Sequence, residues 1–243
     1  MSRNAPGCVV FEEHNVEDIL ALEANLAFAR TPVPIHGCFK RRAVVIDCEM
    51  GGDQFGQSEL ILLSVVDFFT GEVLVDSLVD PSTAVTDWRT RCSSVTGEAM
   101  DAARASGNVL RSWQGAWDRL LQFIDSETVV VGFALENNLD QLRLIHPNVV
   151  DARLAIPRLL GGGKHGVRAL MAELLGKDVQ NPDSDGHNCL EDVFAARELI
   201  LWCVMNPEKL EVRKLQSQQL LDAHIERIRA TAGKWPKQME LGD

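Results

Sequence analysis

A β-branched run, Ala43-Val44-Val45-Ile46-Asp47-Cys48-Glu49-Met50, ends abruptly on Gly51-Gly52 and leaves the chain few ways to fold. Its density of Val and Ile predicts a buried strand, and the glycines stop it. Leu60 to Asp67 and Glu72 to Val79 read as two further strands, with Phe69-Thr70-Gly71 as the turn between them. Three successive strands with tight connections predict an antiparallel meander. From Leu110 onward the texture alternates. Helix is expected near 110–124, strand at 129–132, helix at 135–145 and strand at 148–151. Helices follow near 152–160, 167–175 and 189–205, and Pro207 opens another. Strands first and β/α units later predict an α/β fold, a mixed sheet with helices on both faces.

The flanks differ from this core. Val16, Ile19, Leu20, Leu22, Leu26 and Phe28 recur at helical spacing and predict an amphipathic helix over 11–30, with Asn15 as a cap. Thr31-Pro32-Val33-Pro34-Ile35-His36-Gly37 then breaks any helix and reads as a linker. The organisation is therefore an N-terminal helix and Pro-rich linker over 1–42, a main domain over 43–206, and a C-terminal helical extension over 207–243. Acidic and basic residues mix along that extension, the pattern of a helix packed on the domain or solvated. No internal repeat is present, and Gly161-Gly162-Gly163 marks a loop.

Strand alternation sets Asp47 and Glu49 on one face, with Cys48 pointing the other way. Two carboxylates at the end of an apolar strand repel each other, and a divalent oxygen-seeking ion such as Mg²⁺ or Mn²⁺ relieves that repulsion. A solvated strand end would carry the same pair without chemistry. Near the other end lies Gly186-His187-Asn188-Cys189-Leu190-Glu191-Asp192. Asn188 with Glu191 three residues on is an N-cap pattern, so a helix is expected to start at Cys189. His187 then falls in the preceding loop and Asp192 in the first turn. Were both helical, five residues would turn them about 140° apart; the break lets both face one site. Six dispersed cysteines without a C-x-x-C pair suggest reduced, mostly buried thiols rather than a zinc or redox motif.

These segments together resemble the DEDDh family of metal-dependent 3′-to-5′ exonucleases in the RNase H-like superfamily, and above all its eukaryotic RNA exonuclease branch. The resemblance covers about residues 43–205. Its motifs here are Ile46-Asp47-Cys48-Glu49-Met50-x-Gly52, Asp80-Pro81 with Val85 to Arg91, Val131-Gly132-x-Ala134-Leu135-x-Asn137, His146-Pro147-x-Val149-Val150-Asp151, and Gly186-His187-x-x-x-x-Asp192-Val193. The resemblance implies that Asp47, Glu49 and Asp192 hold two Mg²⁺ or Mn²⁺ ions and that His187 acts as general base. Attack of water on the terminal phosphodiester then releases a nucleoside 5′-monophosphate. It also implies that Met50 packs against the terminal base or sugar, although ordinary core packing suits Met50 equally.

The pattern breaks at one place. The family carries an aspartate after the asparagine of its second motif, whereas this chain reads Glu136-Asn137-Asn138-Leu139, and Phe133 stands where a histidine is common. Asn138 keeps a carbonyl oxygen but not the charge, so a weaker second ion and reduced turnover are expected. Glu136 and Asp140 lie about 200° round the helix from it and do not share its face.

The formal net charge of −11 argues against a protein that grips nucleic acid mainly through a broad basic surface. Arg89 and Arg91 are the first candidates for phosphate contacts, with Lys164, His165 and Arg168 next. The expected partner is the 3′ end of a nucleic acid, single-stranded RNA ahead of DNA. A protein partner at the terminal helices fits a second reading, a degenerate exonuclease fold that binds without cleaving; a regulatory scaffold is a third. No apolar run reaches the roughly 20 residues of a membrane span, and no secretory h-region follows Met1. An intracellular protein is expected, and the resemblance favours the nucleus over the cytoplasm.

Overall fold

The computed structural model describes residues 28–159, 166–180 and 186–232. In chain order the strands are β1 (Ala29–Arg30), β2 (Ala43–Asp53), β3 (Ser58–Asp67), β4 (Val73–Asp80), β5 (Val85–Asp87), β6 (Leu110–Arg111), β7 (Val129–Gly132), β8 (Leu144–Ile145) and β9 (Val149–Asp151). The helices are α1 (Thr90–Ser93), α2 (Gly97–Ser106), α3 (Ser112–Leu120), α4 (Leu135–Gln141), α5 (Ala152–Ala155), α6 (Val167–Leu175), α7 (Cys189–Met205) and α8 (Pro207–Ala232).

The β-branched run becomes the centre of a seven-stranded sheet ordered β6-β4-β3-β2-β7-β9, with β5 pairing the end of β2. β2, β3 and β4 form the antiparallel meander, whereas β6, β7 and β9 join in parallel. β2 is central because both of its faces are apolar. Ala43 and Val45 join a core with Leu170 and Met171 of α6 and Val193, Ala196 and Leu199 of α7. Val44, Ile46 and Cys48 join a second core with Ala116 and Leu120 of α3 and Leu135 of α4. Each fully buried Leu or Ile in these layers contributes about 1.5–3 kcal/mol relative to exposure.

Asp47 and Glu49 continue the face that Ala43 and Val45 begin, so the apolar stripe turns acidic where β2 meets the start of α7. The pairing slips between Glu49 and Met50: Glu49 opposes Leu62 and Met50 opposes Leu60. Ile61 is therefore an extra residue on β3 and enters a third core with Val95 and Met100. Such a bulge bends the sheet at its rim.

Several elements differ from the sequence expectation. The helix expected over 11–30 lies mostly outside the described residues, and its last two residues form β1, paired in parallel with β8. The helix expected over 110–124 spans 112–120, preceded by β6; that over 135–145 stops at 141, and 144–145 are β8. The helix expected over 152–160 ends at 155. At 110–111 and 144–145 the apolar periodicity runs through residues whose backbone is bonded to a neighbouring strand instead. The helix α2 and the single turn α1 carried little apolar periodicity and were not anticipated. The helices at 167–175 and 189–205 match, and Asn188 caps α7 through its bond from the Glu191 backbone amide, 3.2 Å. Among the described cysteines Cys48, Cys189 and Cys203 are buried, as expected of most of them, while Cys38 and Cys92, the latter on α1, are exposed. No described helix is long and apolar enough to cross a membrane.

Candidate active site

Three elements converge on the acidic end of β2. Asp47 lies opposite Ser64 of β3, and Glu49 follows on the same face. The first turn of α7 brings Cys189 and Asp192, three residues apart and on one helix face. From the other side α4 delivers Asn138, 3% exposed, whose Nδ2 donates to Asp47 Oδ1 at 3.2 Å.

α4 is placed by Asp151 at the end of β9. Its carboxylate accepts the Ala134 amide at 3.1 Å, the Leu135 amide at 2.9 Å and the Arg153 amide at 2.8 Å. One buried side chain thus caps the starts of α4 and α5 together. Gly132 is required beneath that turn, because a Cβ there would lie 2.7 Å from Leu135 Cδ1 and 3.0 Å from the Ile46 carbonyl. Ala134, at φ 53°, makes the left-handed step into the helix.

The His187 loop is held by α1. The His187 amide donates to the Cys92 carbonyl at 3.0 Å, and Ser94 Oγ donates to the His187 carbonyl at 2.6 Å. Gly186, at φ +128°, permits this approach: a Cβ would lie 2.4 Å from the Thr90 carbonyl and 2.7 Å from Ser94 Oγ. The imidazole remains 43% exposed, with Nδ1 3.9 Å from Asp192 Oδ2. Asp192 also accepts from Gln180 Nε2 at 2.7 Å, while the Gln180 amide donates to Glu191 Oε2 at 2.9 Å.

Burial and mutual repulsion shape the electrostatics. Burial, then the Asp192 charge, raises the Asp47 carboxyl to about 7 against the hydrogen bonds from Asn138, the Cys48 amide and Cys189. Burial, then Asp47 and Asp192, raises Glu49 to about 9. Burial raises Asp192 to about 6, opposed by Gln180 and His187. Carboxyls that hold protons this tightly are short of positive charge. The donor set fits a divalent cation: Asp47, Glu49 and Cys189 offer ligand atoms that all lie within 4.8 Å of one another.

Asp47, Glu49, Asp192, Asn138 and His187 are thus brought together from residues up to 145 positions apart in the chain. Met50 is half-buried and packs on the second core, on the face opposite the carboxylates. Arg89 caps the gap beside Gly52, its guanidinium 3.3 Å from where a Cβ would stand, and donates to Ser58 Oγ at 3.0 Å. Arg91 is exposed on α1. Arg168 pairs with Asp178 at 3.0 Å, and Lys164 and His165 lie outside the described residues. Glu136 is engaged by Arg153, away from Asn138's surroundings. Sequence reasoning missed Cys189 as a neighbour of the carboxylates and Asp151 as the support of α4. The first could have been found from its i, i+3 relation to Asp192; the second carried no local signal.

An exonuclease family model, RNase_T, matches residues 44–200. The chain is 30% identical over 213 residues to the putative RNA exonuclease pqe-1 of Caenorhabditis elegans, covering 86% of this chain and 12% of that protein. It is 36% identical over 166 residues to the human RNA exonuclease 1 homolog, covering 68% of this chain and 13% of that protein. The chain therefore spans about an eighth of the length of these relatives. In fold it is similar to the Saccharomyces cerevisiae Pan2 pseudoubiquitin hydrolase-RNA exonuclease module in complex with AAGGAA RNA, with TM-score 0.59 and 20% identity over 86% of this chain and 36% of that one.

Proposed function

From the premise that the chain belongs to the RNase_T exonuclease family, a DEDD-type RNase H-like domain related to eukaryotic RNA exonucleases, we propose that it removes nucleotides from the 3′ end of single-stranded RNA in a reaction that needs divalent ions. The observation that carries this reading is the convergence of Asp47, Glu49 and Asp192, all with raised carboxyl pKa values, beside an exposed histidine on a clamped loop. The RNA in the related yeast module and the names of the curated relatives favour RNA over DNA.

Asp47, Glu49 and Asp192 would hold two Mg²⁺ or Mn²⁺ ions, which supply a Lewis acid for the phosphoryl oxygens and charge for the leaving 3′-oxygen. His187, exposed and 3.9 Å from Asp192, would take a proton from the attacking water, with Asp192 steadying the imidazolium that results. Anchoring to α1 confines that histidine without burying it. Arg89, beside Gly52 at the rim, and the exposed Arg91 supply the positive charge for incoming phosphates. The product is a nucleoside 5′-monophosphate.

Asn138 supports a second reading. Its amide donates to Asp47 where the family carries a carboxylate, so one charge that would hold an ion is replaced by a hydrogen bond that holds the Asp47 carboxylate in place. That arrangement suits weak turnover, or binding of nucleic acid or a protein partner without cleavage.

Incubating the protein with 5′- and 3′-labelled RNA in Mg²⁺, Mn²⁺ or EDTA separates the two. Stepwise 3′ shortening that EDTA abolishes and Asp47→Ala removes is the expected result. RNA binding without shortening selects the second reading, and shortening unchanged in Asp47→Ala rejects the site assignment.

A further inference from the structure

The phosphodiester chemistry above leaves one donor in the site unused. Cys189 opens α7, is 4% exposed, and its Sγ lies 3.6 Å from Asp47 Oδ2. Zinc binds thiolate at about 2.3 Å and carboxylate oxygen at about 2.0–2.2 Å. Those two lengths at a tetrahedral angle put the sulfur and oxygen about 3.5 Å apart, so Cys189 and Asp47 already stand one ligand edge apart. Glu49 completes a three-donor face whose atoms are all within 4.8 Å, and closing it takes about an ångström of side-chain movement. Behind the thiol stands Ser64, fully buried opposite Asp47, hydrogen-bonded to Cys189 and donating to Asp76 at 2.8 Å. Such a support fixes the orientation of a ligand.

We propose that Asp47, Glu49 and Cys189 form a site for a thiophilic divalent cation of the Zn²⁺ or Cd²⁺ class, which displaces the oxygen-preferring ions and silences the nuclease. Magnesium requires near-octahedral oxygen ligands and gains nothing from sulfur, whereas zinc and cadmium favour a mixed oxygen and thiolate set with fewer ligands. As the metal–sulfur bond forms, the thiol proton leaves to solvent. The ion then occupies two of the three carboxylates that the exonuclease reading assigns to Mg²⁺ or Mn²⁺. The inhibition rests on that reading; the ligation does not.

The metal-free full chain is titrated with Co²⁺ and then with Cd²⁺. A sulfur-to-cobalt charge-transfer absorption in the near-ultraviolet is expected, saturating at one ion per chain and bleached by an equal amount of Cd²⁺. Cys189→Ser should lose the absorption and bind Cd²⁺ at least about 10-fold more weakly, while its Mn²⁺ affinity stays within about threefold. Co²⁺ binding without the absorption, or an absorption that persists in Cys189→Ser, overturns the proposal. The ¹¹³Cd resonance of the unsubstituted protein decides the matter even if the variant fails to fold: a shift typical of one sulfur ligand supports the site, and an all-oxygen shift refutes it. RNA degradation without the charge-transfer signal defeats only this site, and the signal without RNA degradation defeats only the exonuclease reading.

Discussion

Asn138→Asp adds a carboxylate to a pocket that already holds three. In the metal-free protein the Asn138 amide donates to Asp47 Oδ1 at 3.2 Å, and the substitution turns that attraction into repulsion. Two unit charges 4 Å apart at an effective dielectric constant near 20 repel by about 4 kcal/mol. Asp47, whose carboxyl sits at about 7, relieves part of this by taking up a proton. A net loss of about 1–3 kcal/mol remains, and at about 2–4 °C per kcal/mol the melting temperature in EDTA should fall by roughly 5 °C. With Mn²⁺ the sign should reverse, since a fourth carboxylate would hold the proposed second ion. A tenfold gain in affinity corresponds to about 1.4 kcal/mol, so the variant should rise more steeply with Mn²⁺ than the parent chain. Its 3′ shortening of labelled RNA should rise as well. Paired thermal melts across a Mn²⁺ titration, with the RNA assay alongside, measure all three effects. Equal melting temperatures in EDTA together with equal Mn²⁺-dependent rises would refute the idea that the missing charge limits this site.

The raised carboxyls make the metal-free protein sensitive to pH in a definite direction. Folded values of about 7, 9 and 6 for Asp47, Glu49 and Asp192 lie above their ordinary 3.8, 4.5 and 3.8, so the folded state binds more protons. Their contribution is fully present below about pH 4 and is lost as pH rises through about 6 to 9; melts in EDTA from pH 5 to 9 should show the fall, and saturating Mn²⁺ should flatten it. Gly186→Ala forces a Cβ against the Thr90 carbonyl and Ser94 at a φ that costs a side chain about 1–3 kcal/mol. RNA shortening should drop at least tenfold while circular dichroism stays native. Asp151→Ala leaves three backbone amides without their acceptor. A loss of about 2–4 kcal/mol is expected by urea denaturation, with weaker Mn²⁺ binding because Asn138 is no longer held in place.

Much of this site was legible because it depends on short-range rules. A period of two along β2 puts Asp47 and Glu49 on one face whatever the rest of the chain does. The Asn188 cap starts α7 at Cys189 and keeps Asp192 in its first turn, a local event decided by one side chain and one amide. Strand density between 43 and 80 fixes a meander in the same way. The tertiary structure decided what local rules leave open. Cys189 meets Asp47 across 142 residues, and His187 is confined by α1, ninety-odd residues earlier. Asp151 reaches back to cap α4. β1 and β8 interrupt apolar patterns that read as helix, because a hydrogen-bonded neighbour wins over periodicity when the two disagree. The physical reason is the same in each case: alternation and capping act within one turn or one strand, whereas which donors share a pocket is decided by sheet order, register and the bulge at Glu49 and Met50.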